Sequence, residues 1–478
     1  MSEFCPPKPP SQEKKLNLFR RLQRGRHSAL SVMYDRSYAM KMGQISTPLR
    51  NVYFVNEAKL IDRMLITDAE HFPKSNAMER MLRYLLGNGI FVSNGETWRQ
   101  QRRMLDPAFE GARVQDVFPL MRDAVDSLKV RLDGAERGQP LSIDVETTHV
   151  TADIIFRTIF SRPFERAEAE LIFNAFGKFQ ELAYSHGIWS MAGLPAVIFL
   201  RYWQAARHAR AIRGLLERAV EERLSAVSGG LHVPQRDILA SLLEAQDPLT
   251  GKRFTRRELV DQIAVLFLAG HETSASALAW ALYLIAMQPH VQERLHQEAV
   301  AAFGGRQPEF SDMRRLRFAR DVFRETLRLY PPVYSFARDT TRCEKMRNKE
   351  LAPGSVVLVS PWLLHRHRKL WDRPDVFDPD RFQRAETKDS LRCAYLPFSA
   401  GPRVCLGASF AMQEAVLIIA ALARDFRFTP MEGHVPEPIA RLTLRSANGI
   451  RLLVERRTSK EEVEVPVTAA SEPPLIGA

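Results

Sequence analysis

The chain has 478 residues, 45% hydrophobic and 26% charged, the balance of an ordinary globular protein rather than a disordered or membrane-embedded one. Its formal net charge of +12 favours acidic partners, yet no Lys/Arg-rich block interleaves with aromatics, which argues against nucleic acid. Four irregularly spaced cysteines, Cys5, Cys343, Cys393 and Cys405, include no C-x-x-C pair and exclude a disulfide framework and a structural zinc site. Residues 1–30 hold a Pro-rich stretch, Pro6 to Pro10, then a basic run from Lys14 to Arg26, and read as a flexible arm. No signal sequence stands out. The apolar stretches near Leu194–Leu200 and Val416–Ala423 fall short of the ~20 residues that cross a bilayer, so a cytoplasmic chain without a transmembrane anchor is expected.

Alternating segments predict short strands at Tyr38–Ile45 and Arg50–Val55. From Lys59 onward helical periodicity dominates. Thr255 with Glu258 forms a capping box, and the apolar run that follows predicts a buried helix to about Met287, ended by Pro289. A second helix is predicted over Phe318–Tyr330, cut off by Pro331 and Pro332. Pro361 to Pro402 reads as an irregular loop, and Cys405 to Asp425 as a last apolar helix. With 457–478 as a flexible tail, residues 31–456 form one mainly α domain with a minor β region.

The sharpest motif is Phe398-Ser-Ala-Gly401-Pro-Arg403-Val-Cys405-Leu-Gly407. Glycines let a loop adopt φ > 0 and approach a bulky planar group, and a helix N-terminus stabilises a thiolate. A lone cysteine beside a turn is otherwise an ordinary buried thiol. The long helix carries Ala269-Gly270-His271-Glu272-Thr273. Position 275 is Ala275, so the H-E-x-x-H zinc motif fails, and His271 reads as a packing residue. Glu325 and Arg328 share a helix face at i, i+3, as do Trp98 and Arg102 at i, i+4.

The Phe-x-x-Gly-x-Arg-x-Cys-x-Gly spacing, five fixed positions out of ten, resembles the haem-binding signature of the cytochrome P450 family. The resemblance extends over residues 38–456 and includes the framing words His71-Phe-Pro-Lys-Ser75 and Leu442-Thr-Leu. It implies that family's fold, with haem b between the long helix and the Cys-bearing loop, and molecular oxygen as co-substrate. Cys405 is then the proximal thiolate ligand, Phe398 shields the sulfur, and Gly401 and Gly407 shape the turn. Arg403, Trp98, Arg102 and Arg338 would bind haem propionates. Glu272 and Thr273 match the oxygen-activating acid–alcohol pair, Thr273 where the helix opens beside Gly270 and Glu272 as a proton relay. Glu325, Arg328 and Arg381 match the buried structural triad. His365-Arg-His-Arg368 departs from the family's usual pattern and reads as a solvated loop.

The activity so implied is hydroxylation or epoxidation of a lipophilic small molecule, fatty acid or terpenoid-like. The chain shows neither a G-x-G-x-x-G fingerprint nor iron–sulfur cysteine spacing, so electrons are expected from an acidic ferredoxin with an NAD(P)H reductase, docking on Arg99, Arg103 and Arg368. Candidate pocket positions are Ala264, Phe267, Leu268, Val333, Tyr334, Phe336 and Leu444, with parts of 76–90 and 170–205. The alternative is a non-catalytic haem-thiolate sensor, which would consume no reducing equivalents.

Overall fold

The computed structural model describes residues 3–14, 16, 18–25, 27–46, 51–191, 200–228 and 237–457. The C-terminal tail from 458 and Arg50 lie outside the described residues. The helices that build the site are α1 Asn76–Leu86, α2 Gly95–Leu105, α3 Ile143–Phe160, α4 Arg166–Met191, α5 Leu200–Ser228, α6 Arg256–Ala286, α7 Arg317–Leu329 and α8 Ala408–Asp425. The fold is mainly helical with small sheets.

Helix α6 is the axle. Thr255 caps it, its side chain accepting from the Glu258 N–H while the Glu258 carboxylate accepts from the Thr255 N–H at 2.8 Å. Beyond Asp261 its only carboxylate or imidazole side chains are Glu272 and His271, and the other polar groups are mainly one amide and a few hydroxyls, so it has little to hydrate. It is long and apolar enough to cross a bilayer, but it runs buried through the protein. From Leu259 to Ala286 the buried run is interrupted only at Ala269, Gly270 and Thr273. Helix α3 packs tightly there: a Cβ on Gly270 would lie 2.9 Å from Ile155 Cγ1, and the Thr151 hydroxyl lies 3.0 Å from the His271 carbonyl.

Strands Met42–Ser46, Asn51–Val55, Val356–Val359 and Phe336–Asp339 form a four-stranded sheet in that order. The Asn51–Val55 and Val356–Val359 strands run parallel and the outer pairs antiparallel. The strand expected from Tyr38 starts only at Met42. Tyr38 closes a 3-10 turn instead, with its buried hydroxyl accepting from Trp362 Nε1 at 2.9 Å. The ring is anchored in the core.

Two other expectations are corrected. The N-terminal segment is no free arm. The Phe377 N–H bonds the Phe4 carbonyl at 3.0 Å, the Tyr330 hydroxyl donates to the Pro7 carbonyl at 2.7 Å, and Lys8 pairs with Asp375. Phe4 packs on the core, so the stretch has apolar area to bury despite its composition. Nor are His365, Arg366 and His367 a solvated loop: they are 0%, 2% and 3% exposed. The short buried helix Pro361–Leu364 carries the chain inward just before them. Arg366 then stacks 3.8 Å over Trp362, and His365 Nε2 accepts from the Leu396 N–H at 2.9 Å.

Candidate active site

The Phe398–Gly407 loop folds back on itself ahead of α8, with Cys405 N–H on the Phe398 carbonyl at 2.9 Å and Val404 N–H on Gly401 at 3.0 Å. Gly401 has φ +71°, and a Cβ there would lie 1.9 Å from the Leu65 carbonyl oxygen, so only glycine fits. Gly407 differs from expectation. Its φ is −89°, open to any residue, and a Cβ would meet no protein atom within 4 Å. What matters there is open space beside the loop. Helix α8 begins at Ala408, because residues 405–407 form the turn.

The Cys405 side chain has accessible surface, yet burial is the largest influence on its thiol and pushes the pKa up. Both hold when a side chain faces space enclosed by protein. The Gly407 N–H and the charges of Arg102 and Lys74 favour the thiolate in opposition.

Around this space stand cations with little to neutralise them. Arg403 lies 4.1 Å from the Trp98 ring and donates to the Ser93 carbonyl at 3.1 Å and Asn94 Oδ1 at 2.9 Å. Arg338 is 5% exposed and bonds the Ala337 carbonyl at 3.1 Å. Lys74 bridges Arg338 through its backbone, and its Nζ stands 4.2 Å from the Phe91 ring. Arg102 pairs with Asp106 and donates to the Val404 carbonyl at 2.8 Å. Burial pushes Arg338 down to about 10. Burial, then Arg338 and Arg99, push Arg403 down to about 9. Burial, then the same arginines 338 and 403, drive Lys74 well below its ordinary value.

No carboxylate of the described residues pairs with Arg338, Arg403 or Lys74. Arg338 is buried and Lys74 and Arg403 are half-buried, and cations so placed without an anion are costly unless a ligand supplies the charge. A thiol, side-chain-free turns and uncompensated cations together fit a planar group bearing carboxylates, which is what haem is. Lys74 escaped the sequence reading, where it stood only inside His71-Phe-Pro-Lys-Ser75; its signal was a lysine with no acid within four residues of it on the C-terminal side and none closer than Glu70 on the other.

On α6, the Thr273 hydroxyl donates to the Ala269 carbonyl at 2.7 Å, and the helix stays α-helical throughout. The opening expected beside Gly270 is therefore not present: the α-helix runs unbroken through it, with the Thr273 hydroxyl on the Ala269 carbonyl. Glu272 is also not a free relay. Its carboxylate accepts from Gln180 on α4 at 2.5 Å, Thr443 at 2.5 Å and Arg445 at 2.7 Å, with a second Arg445 contact. Burial pushes its pKa up, but Arg445's charge and bonds outweigh that and hold it below the ordinary value. His271 sits among Phe173, Phe176 and Phe267, with ring centroids 6.3, 5.6 and 5.0 Å away, in a packing place. No metal-holding group of His, Cys, Asp and Glu exists among the described residues.

A second carboxyl went unread. Glu414 on α8 is 1% exposed, neither of its oxygens has a hydrogen-bond partner within ordinary reach, and burial pushes its pKa up to about 8, with nearby Ser274 opposing. Its motif position gave no hint, because only the packing of α8 on α6 isolates it.

The structure brings Glu325, Arg328 and Arg381 together, 0%, 0% and 2% exposed. Arg328 makes two 2.8 Å bonds to Glu325, and Arg381 one of 2.9 Å. Arg328 also holds the carbonyls of His365, Pro374 and Val376, which ties the loop to α7. The arginines of the expected basic face are each paired with an acid, while Arg99 and Arg368 keep about half of their side-chain surface exposed, 53% and 46%. Arg103 binds Asp247 and Glu96, Arg99 binds Glu96, and Arg368 binds Asp35. Among the pocket positions, Val333 is 38% exposed and Tyr334 and Phe336 are partly so, whereas Ala264, Phe267, Leu268 and Leu444 are 0–5% exposed and face packed core.

The family model described as Cytochrome P450 matches residues 6–454. Cyclooctatin synthase of Streptomyces melanosporofaciens is 33% identical over 411 residues, 85% of this chain and 87% of that protein. Cyclooctat-9-en-7-ol 5-monooxygenase of the same organism is 32% identical, over 78% of this chain and 79% of that protein. The crystal structure of the cytochrome P450DA heme domain superposes with a TM-score of 0.77 at 24% identity, over 88% of this chain and 91% of that one.

Proposed function

This chain belongs to the cytochrome P450 family, and from that premise we propose that it oxygenates a terpenoid-like lipophilic molecule, with electrons from a ferredoxin and its NAD(P)H reductase. Members are monooxygenases that bind haem b, use molecular oxygen, and need a lipophilic substrate and a redox partner. Bound haem supplies the iron chemistry that splits dioxygen, which a thiolate ligand favours.

In this reading Cys405 ligates the iron and Phe398 covers the sulfur. Gly401 and Gly407 leave the turn without side chains. Arg403, Arg338, Arg102 and Lys74 bind the propionates, with Trp98 supporting Arg403. The Thr273 hydroxyl holds a proton where α6, beyond its exposed first turn, is accessible, at Ala269, Gly270 and Thr273. Glu272 serves as its acid partner only once Arg445 lets go. The carrying observation is the uncompensated trio Lys74, Arg338 and Arg403 beside Cys405. For the substrate, support comes from the partly exposed, mainly apolar Val333, Tyr334 and Phe336, and from the two Streptomyces relatives, whose names refer to cyclooctatin and cyclooctat-9-en-7-ol.

Absorption titration of haem-loaded protein with terpenoids, fatty acids and steroids tests it. A low- to high-spin shift with terpenoids alone supports the assignment. A shift only with fatty acids moves the substrate class, and protein that takes up no haem removes the reading altogether.

A further inference from the structure

Between α1 and α2 the chain runs through Gly87-Asn-Gly-Ile-Phe-Val-Ser-Asn94, a loop that touches the cation cradle at one end and α6 at the other. At the cradle end, Ser93 and Asn94 hold both Arg403 donors, and the Asn94 side chain exchanges bonds of 3.0 and 3.1 Å with the Lys74 backbone. At the far end, Asp261 Oδ2 accepts the Asn88 N–H at 2.9 Å and Gln262 Oε1 the Ile90 N–H at 3.0 Å. Between them Gln101 on α2 ties the two halves, bonding the Asn88 carbonyl at 2.8 Å and accepting from Ser93 at 2.6 Å. The glycines make the contact possible: a Cβ on Gly87 would lie 2.0 Å from Asp261 Oδ1, and one on Gly89 2.8 Å from the Asp261 carbonyl.

Asp261 is bound on its other side as well. Arg213 on α5 donates to Asp261 Oδ1 at 2.7 Å and to the Leu85 carbonyl at the end of α1 at 3.2 Å. One buried carboxylate thus joins α1, α5, α6 and the loop.

We propose that Asp261 and Gln262 are positioning residues for the cofactor cradle, acting on Arg403 and Lys74 through the 87–94 loop, with Arg213 coupling that loop to α5. The inference rests on the reading of Arg403 as a propionate partner. Neither acceptor touches the cofactor site. Gln262 satisfies the N–H of buried Ile90, which would otherwise be left unpaired, and Asp261 fixes the outer Asn88 N–H; without these acceptors the loop is free to slide. The arginine side chain follows the loop because its hydrogen bonds to Ser93 and Asn94 both end on it.

The test is transfer of haem from the loaded full-length protein to excess apomyoglobin. Gln262→Ala and Asp261→Ala should each speed transfer roughly tenfold, the scale of one lost acceptor, and Asp261→Asn, which keeps an acceptor oxygen without adding charge, should restore the rate to within about twofold of wild type. Leu278→Ala, a core change elsewhere on α6, measures what general loosening does. Transfer no faster in the loop variants than in Leu278→Ala overturns the proposal. Arg403→Gln separates the two levels: if it speeds transfer and Gln262→Ala does not, only the positioning role fails, whereas no effect of Arg403→Gln removes the propionate reading itself. Should the variants not fold, amide exchange in the wild-type chain decides. Linkage requires that haem loading slow exchange at Asn88, Ile90 and the α5 amides near Arg213 together. Unchanged exchange there on loading counts against the coupling.

Discussion

Arg445 grips the Glu272 carboxylate from the strand Leu444–Ser446, and Thr443 and Gln180 complete the hold. The residue expected to move protons is instead the buried anion that joins α4, α6 and the last hairpin. Arg445 therefore controls both the charge on Glu272 and its freedom.

Arg445→Met should destabilise the protein by about 3 kcal/mol at neutral pH, because it strands a buried carboxylate. The sign with pH follows from the pairing. In the wild type the Glu272 pKa is depressed, so its stabilisation is present above the unfolded value and is lost as pH falls through the folded one. Without Arg445, burial, the largest influence on Glu272, raises the pKa against the remaining Thr443 bond, so the variant's deficit is greatest at pH 8 and shrinks at pH 5. Denaturation midpoints at the two pH values measure this, and an equal deficit at both means that Glu272 is not the group involved.

Glu414 predicts the opposite slope. Its folded pKa of about 8 lies above the unfolded value, so the folded chain holds a proton that the unfolded chain has released. Stability from this group is full below the unfolded carboxylate range and declines as pH rises toward 8, by up to about 1.4 kcal/mol per unit. Glu414→Gln keeps the shape of the neutral acid and removes the titration. It should match wild type near pH 5 and exceed it at pH 8. If the two unfolding curves stay parallel from pH 5 to 8, Glu414 is not protonated in the fold.

Local chemistry was legible in the sequence wherever the cause is local. Thr255 and Glu258 announced the start of α6, Pro289 its end, and Cys405 with Arg403 the loop that opposes it. What could not be read depends on partners far along the chain. Arg445 is 173 residues from Glu272, and nothing in the Gly-His-Glu-Thr string indicates that the acid is held. Helix α6 is apolar all round, so its accessible patch at Ala269, Gly270 and Thr273 could not be separated from its packed faces, and Ala264, Phe267 and Leu268 were assigned to the pocket wrongly. The N-terminal stretch looked disordered because composition does not report that Phe4 and Pro7 meet Phe377 and Tyr330.

Deleting residues 1–9 should lower stability by about 2–3 kcal/mol, from the Phe4 contact and the Pro7 bond to Tyr330. It would also leave Asp375 with only the buried Arg366, 3.5 Å away, in place of a shared pairing with Lys8. The loop that Arg328 and Arg381 hold from inside would lose its outer support. A thermal melt lowered by several degrees with the haem spectrum retained is the expected result; an unchanged melt means that the segment contributes no net stability.

Gly401→Ala puts the turn itself to the test. The residue has φ +71°, where an L side chain costs roughly 1–2 kcal/mol, and its Cβ would sit 1.9 Å from the backbone oxygen of Leu65, which no rotamer can relieve. The loop must therefore shift away from Leu65, and Cys405 moves with it, because the Cys405 N–H is fixed to Phe398 in the same loop. The core around α6 and α7 does not depend on this turn, so helical circular dichroism should stay near wild type. Haem content and the carbon monoxide difference spectrum should fall together, with the remaining haem losing its thiolate signature. Full haem content with an unaltered spectrum would show that the loop tolerates the displacement and that Gly401 does not set the position of Cys405.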